Sequence, residues 1–379
     1  MFTLIKNGYL YAPEALGKKD ILIAGNKIVA IGKDLSAPML VECETIDANG
    51  KIVTPGLIDQ HVHLTGGGGE GGLSTRTPSV KFSSLIQAGL TTVVGVLGTD
   101  GTTRSPRDLY AKAMGLRDEG ITTFFHTGSY QVPTVTITGS IRDDLIFVNP
   151  VVGVKMAIAD HRGSFPTTDE LMRVISDVRM GGMLAGKKGI LHMHMGDLPN
   201  PLEQVEEIIA RGIPRHHFSP THVARNKTLF ADAINFAKAG AHIDITSGGS
   251  CAFGEPAEAV IAALESGVDP KHLTVSSDGN GSLPKFDEGG NMVAITAAPV
   301  NANAMLLPEL IERGVSPEIA LGMMTANVAK SVGIKKGEIS VGSDADVCIF
   351  NEDYTLSSVI AMGKTLIHGG EQRVIGNFE

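Results

Sequence analysis

Two histidines one residue apart, His61 and His63, lie near the end of the apolar stretch PGLIDQHVHL. Successive side chains of a β-strand point to opposite faces, so residues i and i+2 share a face and one strand can offer both imidazoles to one metal ion. Histidine is a common metal ligand, and sets of three histidines and an aspartate suit zinc. A His-x-His pair alone is more often a surface or core feature, so a metal site requires further ligands.

Further candidate ligands occur near the ends of other apolar stretches. They are Lys155 in VVGVKMAIAD, His192 and His194 in GILHMHMGD, His222 in FSPTHVAR and Asp278 in LTVSSDGNG. Alone, His222 would be a packed or capping residue, and Asp278 a turn residue, since Asp-Gly and Asn-Gly favour turns. Their joint placement at the ends of different strands indicates a metal site.

Lys155 stands in a stretch that is apolar on both faces, as an internal parallel strand should be. A buried ammonium without partners is very costly. One interpretation is an ion-paired lysine, or one that reaches outward at a strand end. The sharper interpretation is a lysine converted by CO₂ to a carbamate, whose carboxylate could bridge two cations.

The glycine-rich segment TGGGGEGG follows the first histidine pair. Gly66, Gly68 and Gly71 formally satisfy the dinucleotide pattern G-x-G-x-x-G, but Glu70 would repel a pyrophosphate at those backbone N–H groups. Glycine permits close backbone approach to a ligand, so the segment is better interpreted as a substrate-facing loop. Glu70 would then lie near a substrate cation; the alternative is a solvated loop charge.

Strands that alternate with helices must position these residues. The strand candidates are 56–64, 91–99, 121–130, 151–160, 189–197, 218–225, 241–249 and 273–281, and helix candidates include 105–120, 200–212 and 255–267. This alternation is typical of a parallel sheet, and eight units fit a (β/α)8 barrel, whose active site lies at the carboxyl ends of the strands. Short hairpin-like strands at both termini predict a small β unit, giving domains 1–54 with 338–379 and 55–337.

The composition restricts the class of protein. The chain of 379 residues is 42% hydrophobic and 19% charged, which is typical of a globular protein with a large core. A net charge of −9 argues against a nucleic-acid or anionic-membrane partner. The chain has three cysteines, far apart in the sequence, and neither a long apolar run nor a signal-like start. These features predict a cytoplasmic protein.

The motif set resembles the amidohydrolase superfamily, through PGLIDQHVHL, the strand lysine, HMGD, PTHV and SSDGNGS. The segments GGGGEGG, GTD, TGSY and ADHR are similar to those of the isoaspartyl (β-aspartyl) dipeptidases, and the resemblance covers almost the whole chain. It implies a distorted, TIM-like (β/α)8 barrel with a small β-sandwich formed by both terminal segments. It also implies a binuclear zinc centre and a homo-oligomer, in this family an octamer.

The resemblance implies two Zn²⁺ ions per chain, bridged by a carboxylated Lys155 and a hydroxide. His61, His63, Asp278 and Lys155 would hold one ion, and His194, His222 and the same Lys155 the other. Spacing alone leaves His192 and His194 as alternatives, and the family motif HMGD selects His194.

The resemblance further implies hydrolysis of the β-linked amide of an isoaspartyl dipeptide by the bridging hydroxide. Tyr130 and one zinc would stabilise the oxyanion, and Asp278 would carry the proton to the leaving amine. The implied substrate contacts are Glu70 to the α-ammonium, Gly68, Thr99 and Ser282 to the α-carboxylate, and Arg162 and Arg225 to the carboxylate of the leaving residue. Without the resemblance, Thr99, Ser282 and Arg162 would be interpreted as turn, cap or surface ion-pair residues.

Three alternative functions are open on the sequence alone. Another binuclear amidohydrolase, such as a dihydroorotase, a hydantoinase or an N-acyl amino acid deacylase, would share the metal ligands but has no need for Glu70 or the Arg162 and Arg225 pair. A catalytically silent scaffold on the same fold would be expected to lack metal ligands. A dinucleotide-dependent oxidoreductase is a more distant third.

Overall fold

The computed structural model describes residues 2–39, 41–286 and 292–379. The chain begins with five short strands rich in β-branched residues and broken by turns. They are β1 (Phe2–Tyr11), β2 (Ala15–Ala24), β3 (Lys27–Gly32), β4 (Cys43–Asp47) and β5 (Ile52–Pro55). Gly-Asn and Asn-Gly dipeptides between them supply the positive φ angles that tight turns require, for example at Gly25 and Asn49.

Eight strands follow, each a continuous apolar run. They are β6 (Leu57–Val62), β7 (Leu90–Gly95), β8 (Thr122–Gly128), β9 (Val151–Ile158), β10 (Ile190–Met195), β11 (Phe218–Thr221), β12 (Ile243–Thr246) and β13 (Leu273–Ser276). Every residue of these strands is buried except one position in β8, as expected for strands covered on both faces. Each corresponds to a predicted strand, but the predicted strands run several residues further, because their last residues form the loops that carry the site.

The eight strands close into a barrel. Strands β6 to β11 form one parallel sheet in chain order, and β12 pairs with β13 in parallel. The backbone N–H of Val223, just after β11, donates to Asp244 in β12 over 3.3 Å, and that of His63, just after β6, donates to Gly279 beyond β13 over 2.9 Å. The predicted fold class, an α/β barrel with a separate sheet of terminal strands, is therefore confirmed.

A buried carboxylate ties the closing strands together. Asp244 accepts hydrogen bonds from the Gln60 amide over 2.6 Å and the Thr221 hydroxyl over 2.6 Å. The hydroxyls of Thr274 and Ser276 donate to the same carboxylate over 2.9 and 2.5 Å. Four donors from three neighbouring strands thus converge on one side chain, which fixes how β6, β11, β12 and β13 meet.

Ten helices lie within the described residues, and most of them connect barrel strands. They are α1 (Phe82–Gln87), α2 (Pro106–Glu119), α3 (Ile141–Phe147), α4 (Thr168–Ala185), α5 (Glu203–Ala210), α6 (Lys227–Lys238), α7 (Pro256–Glu265), α8 (Ala302–Glu312), α9 (Pro317–Gly322) and α10 (Ala326–Val332). The predicted helices correspond to α2, α5 and α7. Ser105 caps α2 and Pro106 opens it, and a capping box of Thr167 and Glu170 begins α4.

The last strands of the chain return to the first. A hairpin of β14 (Ser282–Phe286) and β15 (Met292–Ala297) follows the barrel, and β16 (Val347–Phe350), β17 (Leu356–Ala361), β18 (Lys364–His368) and β19 (Glu371–Gln372) end the chain. Within the described residues the sheet order is β19-β18-β17-β16-β5-β1-β2-β3, with β4 on β1. The two termini therefore build one sheet, joined where β5 pairs with β16. The exact domain boundaries stay a prediction.

No helix among the described residues combines the length and the apolar character needed to cross a lipid bilayer.

Candidate metal centre and active-site cavity

The two histidines of β6 converge on one aspartate. His61 is the fifth residue of β6 and His63 follows its end, and both are buried. Their Nε2 atoms lie 3.4 and 3.1 Å from Oδ1 of Asp278, which follows β13. The backbone at Asp278 has a φ of 53°, a conformation that costs energy outside glycine and is concentrated at functional sites. The i, i+2 spacing thus does bring both imidazoles to one point.

Lys155 lies beneath this cluster in the middle of β9. Its side chain is fully buried, and Nζ is 3.0 Å from Nε2 of His61. Burial lowers the pKa of the Lys155 amine to about 7, and the nearby Arg225 and Arg162 act in the same direction while Asp278 opposes them. A large fraction of the amine is therefore neutral and nucleophilic near neutral pH, which is the form that reacts with CO₂.

His222 completes a group of three potential ligands. The ligand atoms of His61, His222 and Asp278 all lie within 4.8 Å of one another. Nδ1 of His222 pairs with the Thr246 hydroxyl over 2.7 Å, whereas its buried Nε2 has no hydrogen-bond partner among the described residues. A hydrogen bond to one ring nitrogen fixes the tautomer and leaves the other nitrogen as a ligand.

The Asp278 carboxylate is ionised at neutral pH. Burial opposes its ionisation, but the neighbouring His222, a hydrogen bond from His63 and the nearby Lys155 outweigh burial and hold its pKa well below the usual range. Burial lowers the pKa values of His61 and His222 well below the usual histidine value, so both rings are neutral. Neutral imidazoles beside a carboxylate are the protonation states that bind a divalent metal.

His192 and His194 occupy different depths of the barrel. His194 has its ring centroid 4.6 Å from that of His222, and its two nitrogens contact Tyr130 and Asp160. His192 lies deeper, with Nε2 2.8 Å from Nδ1 of His61 and Nδ1 3.2 Å from the Ser219 hydroxyl. Position therefore separates the two histidines: His194 faces the cavity, and His192 supports a histidine of the cluster.

A cavity of about 790 Å³ opens above the cluster. Every residue that the sequence motifs assign to the substrate lines it, namely Gly68, Glu70, Thr99, Tyr130, Arg162, Arg225 and Ser282. His63, His194, His222 and Asp278 form part of its wall, whereas His61 and Lys155 lie below. The predicted site residues are thus brought together, although their individual roles stay predictions.

Glu70 is held by three groups of the cavity. Its carboxylate accepts from the Thr99 hydroxyl over 2.9 Å and the Ser282 hydroxyl over 3.3 Å, and Nη1 of Arg162 lies 3.6 Å away. The sequence predicted Thr99 and Ser282 as contacts of a substrate carboxylate. That role stays a prediction; in this structure the two hydroxyls donate to Glu70 and orient it.

Two glycines of the 66–72 loop, Gly67 and Gly68, have little room for a side chain. Gly68 has a φ of 78°, and a Cβ there would lie 2.5 Å from the Thr75 carbonyl oxygen. Gly67 lies against the His63 ring, where a Cβ would approach Nδ1 to 3.3 Å. The loop thus folds tightly over the histidine and presents Glu70 to the cavity, consistent with a substrate-facing loop.

Two aspartates of the site were not predicted. Asp160 contacts both His194 and Arg162, and its sequence signals are its place just after β9 and within the motif ADHR. Asp59 accepts from the backbone N–H groups of His61 and Ser277 over 3.0 and 3.1 Å, and so ties β6 to the segment before Asp278. Neither contact follows from local periodicity.

The donor set fits a metal ion. Three imidazoles and a carboxylate converge, with the buried Nε2 of His222 unpartnered among the described residues. Nitrogen and oxygen ligands of this kind suit zinc and similar divalent metals.

Comparison with known proteins identifies the family. The sequence pattern of the "Amidohydrolase family" matches residues 52–366. Among solved structures, the chain is similar to the β-aspartyl dipeptidase from the thermophilic, keratin-degrading Fervidobacterium islandicum AW-1 in complex with a β-Asp-Leu dipeptide, with 43% identity, a TM-score of 0.94 and 100% of both chains covered. The dihydropyrimidinase from Brevibacillus agri NCHU1002 shares the fold, with 21% identity, a TM-score of 0.71 and 99% and 97% of the two chains covered.

A curated relative is much longer. The adenine deaminase of Ruegeria sp. (strain TM1040) is 26% identical over 401 residues, an alignment that covers 98% of this chain but 58% of that protein. The chain thus spans just over half the length of that relative. Because the family pattern covers most of the chain and the likeness to the dipeptidase extends over all of it, the resemblance indicated by the sequence motifs is confirmed, and the protein belongs to the amidohydrolase family.

Proposed function

We propose that this protein is a metal-dependent hydrolase that cleaves the β-linked amide bond of isoaspartyl dipeptides. The observation that carries the proposal is the cavity above the ligand cluster, which combines the carboxylate of Glu70 with the guanidinium groups of Arg162 and Arg225. A β-aspartyl dipeptide carries an ammonium and two carboxylates. A cyclic imide or hydantoin offers no ammonium for Glu70 and no terminal carboxylate for two arginines.

Similarity to a solved dipeptidase supports the same substrate class. That protein is 43% identical over its full length and was solved with β-Asp-Leu bound. The residues that the sequence motifs mark for the substrate line the cavity of this chain. The dipeptide specificity of this chain is inferred from this likeness together with the cavity charges.

We infer that the ligand cluster would hold two Zn²⁺ ions, with Lys155 in its carboxylated form among the ligands. His61, His63, Asp278 and Lys155 would bind one ion, and His194, His222 and Lys155 the other. When bound, such a pair lowers the pKa of a coordinated water and polarises the scissile carbonyl. The remaining chemistry belongs to side chains of the chain itself.

In this proposal Asp278 transfers a proton and Tyr130 donates a hydrogen bond. Asp278 is ionised at neutral pH, so its carboxylate can accept a proton from the attacking water and return it to the leaving nitrogen. Burial raises the pKa of the Tyr130 hydroxyl, which therefore keeps its proton and can donate a hydrogen bond to the developing oxyanion. Arg225 and Arg162 would bind the carboxylate of the leaving residue.

The assembly and compartment belong to the same proposal. The motifs imply a homo-oligomer, an octamer as in the resembled family, that works in the cytoplasm on small dipeptides. The net charge implies that it has no nucleic-acid or membrane partner. Light scattering of the purified protein measures the oligomeric state directly.

A side-by-side assay tests the proposed function. The purified protein is given β-Asp-Leu, α-Asp-Leu, dihydroorotate and a hydantoin, and the metal content of the same sample is measured. Cleavage of β-Asp-Leu alone, with about two divalent metals per chain, is the expected result. Turnover of the cyclic substrates instead would favour a dihydroorotase or hydantoinase, and full metal content without any turnover would favour a silent scaffold.

A further inference from the structure

The carboxylate of Asp160 lies between His194 and the two arginines of the cavity. Asp160 follows β9 and is 4% exposed. Its Oδ2 atom is 2.9 Å from Nε2 of His194 and 2.8 Å from Nη2 of Arg162, while Nη1 of Arg225 is 3.6 Å away. One buried carboxylate therefore lies next to a predicted metal ligand, His194, and next to the two arginines that are predicted to bind the leaving residue.

Asp160 fixes the orientation of Arg162. Its Oδ1 atom accepts from the backbone N–H of Arg162 over 2.8 Å and from Nε over 2.9 Å, and Oδ2 accepts from Nη2. A guanidinium has five N–H donors in a planar fork, so the hydrogens of Nη1 and one of Nη2 remain for another carboxylate. The guanidinium also lies over the Tyr130 ring, 5.5 Å from its centroid. These contacts leave the outer edge of the fork facing the cavity.

Asp160 also selects the tautomer of His194. Nε2 of His194 lies 2.9 Å from the carboxylate and 3.1 Å from an Nη atom of each arginine. A carboxylate only accepts hydrogen bonds, so a lone pair on Nε2 would face the lone pairs of Oδ2 at its shortest contact. A proton on Nε2 removes that repulsion and gives a charge-assisted hydrogen bond, while Nη2 of Arg162 donates to Oδ2 over 2.8 Å, a shorter contact than its 3.1 Å to the ring. Nδ1 then carries the lone pair, and the Tyr130 hydroxyl, 2.6 Å away, can donate to it.

We propose that Asp160 is a positioning residue that couples the metal centre to recognition of the leaving residue. The same carboxylate holds His194 with the lone pair on Nδ1, the atom that would bind metal, and holds Arg162 with its outer edge towards the substrate's terminal carboxylate. Because the roles of His194 and Arg162 belong to the proposed function, this assignment rests on it. Replacement of a carboxylate that orients a metal-binding histidine commonly lowers metal affinity or activity by about 10–100-fold.

The test replaces Asp160 by a residue of the same size without the charge. Asp160→Asn is compared with wild type in two measurements. Zinc affinity is measured by competition with a chelator, without substrate. Steady-state kinetics use β-Asp-Leu and β-Asp-leucinamide, which differ only in the terminal carboxylate. We expect a loss of about 10–100-fold in affinity for one of the two metal ions. We also expect a larger rise in KM for β-Asp-Leu than for the amide.

Two further variants separate the effect on metal binding from the effect on substrate binding. Arg162→Lys leaves the Asp160–His194 contact in place, so it should raise KM for β-Asp-Leu while both metal ions stay bound with wild-type affinity. Asp177→Asn, on α4, removes a carboxylate from an exposed pair with Arg142 on α3 and should change neither measurement. Circular dichroism shows which variants are folded.

The results that would overturn the assignment are specific. Asp160→Asn with wild-type affinity for both metal ions, or with equal KM changes for the two substrates, would show that Asp160 does not couple the two groups. Loss of a metal ion from Arg162→Lys would show that the arginine, and not Asp160, orients His194. This variant therefore tests the assignment even if Asp160→Asn does not fold. A wild-type protein that cleaves neither substrate would reject the proposed function, whereas the chelator competition would still report on Asp160 and His194.

Discussion

The Tyr130 hydroxyl oxygen lies 2.6 Å from Nδ1 of His194, where the loop after β8 meets the end of β10. The two residues are 64 positions apart in the sequence, and their rings are tilted against each other with centroids 4.5 Å apart. The hydroxyl therefore lies at the edge of the ligand cluster and inside the cavity at the same time. A group in that place can act on an oxygen that develops charge beside a metal ion.

Replacement of Tyr130 by phenylalanine should reduce turnover more than binding. The variant keeps the buried ring and loses only the donor, and removal of a single oxyanion donor typically lowers kcat by roughly a hundredfold or more. We expect Tyr130→Phe to lower kcat for β-Asp-Leu to that extent, with a KM close to wild type. Tyr110→Phe, on α2 and outside the cavity, is the matched control. A change confined to KM would make Tyr130 a binding residue.

Replacement of Glu70 by glutamine should affect only substrates that have a free α-amine. Loss of a hydrogen bond between charged groups costs about 1.5–3 kcal/mol, which corresponds to roughly a 10–100-fold fall in kcat/KM. We expect that fall for Glu70→Gln with β-Asp-Leu and little further change with N-acetyl-β-Asp-Leu, which wild type should already cleave poorly. Glu312→Gln, exposed on α8, is the control. Equal kcat/KM values for wild type and Glu70→Gln on β-Asp-Leu would remove the proposed role.

Reconstitution of the metal-free protein should require CO₂ and a neutral Lys155. The amine attacks CO₂ to form the N–C bond of a carbamate and releases one proton, so only the unprotonated form reacts. Burial lowers the pKa of Lys155 to about 7, so the reactive fraction increases as the pH rises through that value. At constant dissolved CO₂, zinc uptake should be about tenfold faster near pH 8 than near pH 6.

The Lys155 experiment has an internal control. Lys155→Met retains a buried side chain of similar length without the amine, and we expect it to bind fewer zinc ions than wild type at either pH. Mass spectrometry of the reconstituted wild-type protein should show the added mass of CO₂. Full zinc uptake by wild type in CO₂-free buffer would exclude the carbamate.

Removal of the Asp244 carboxylate should destabilise the closure of the barrel. Asp244→Ala leaves the buried donors of Gln60, Thr221 and Ser276 without their shared acceptor, and an unsatisfied buried polar group costs about 1–3 kcal/mol. We therefore expect a loss of about 3 kcal/mol or more, measured as a lower melting temperature at fixed protein and metal concentrations. Asp244→Asn should lose less, because it keeps the size and one acceptor oxygen. A melting temperature for Asp244→Ala equal to that of the surface variant Asp177→Ala would contradict this role.

Much of the barrel could be predicted from local patterns. Strands buried on both faces appear as continuous apolar runs, and helices carry their own start and stop signals, such as Ser105 with Pro106 before α2 and Gly120 after it. These signals depend on neighbours within a few residues and survive in any tertiary context. The strand ends were placed too far along the chain, because residues such as Thr99 and Ser277 form loops that only the packed barrel stabilises.

The sequence by itself determined which side chains could do chemistry and that they stand at the carboxyl ends of successive strands. It marked His61, His63, Lys155 and Asp278, since parallel strands in a barrel bring their ends to one face. It left the depth of His192 and His194 open, because strand periodicity gives a face of the sheet but no distance along the barrel axis.

Only the tertiary structure decided which of these side chains touch. The contacts of Asp160 with His194, of Glu70 with Ser282 and of Gln60 with Asp244 join residues that are 34, 212 and 184 positions apart. Such contacts depend on how the barrel closes and how its loops fold over the opening. That geometry is set by the packing of the whole chain, which no local pattern in the sequence describes.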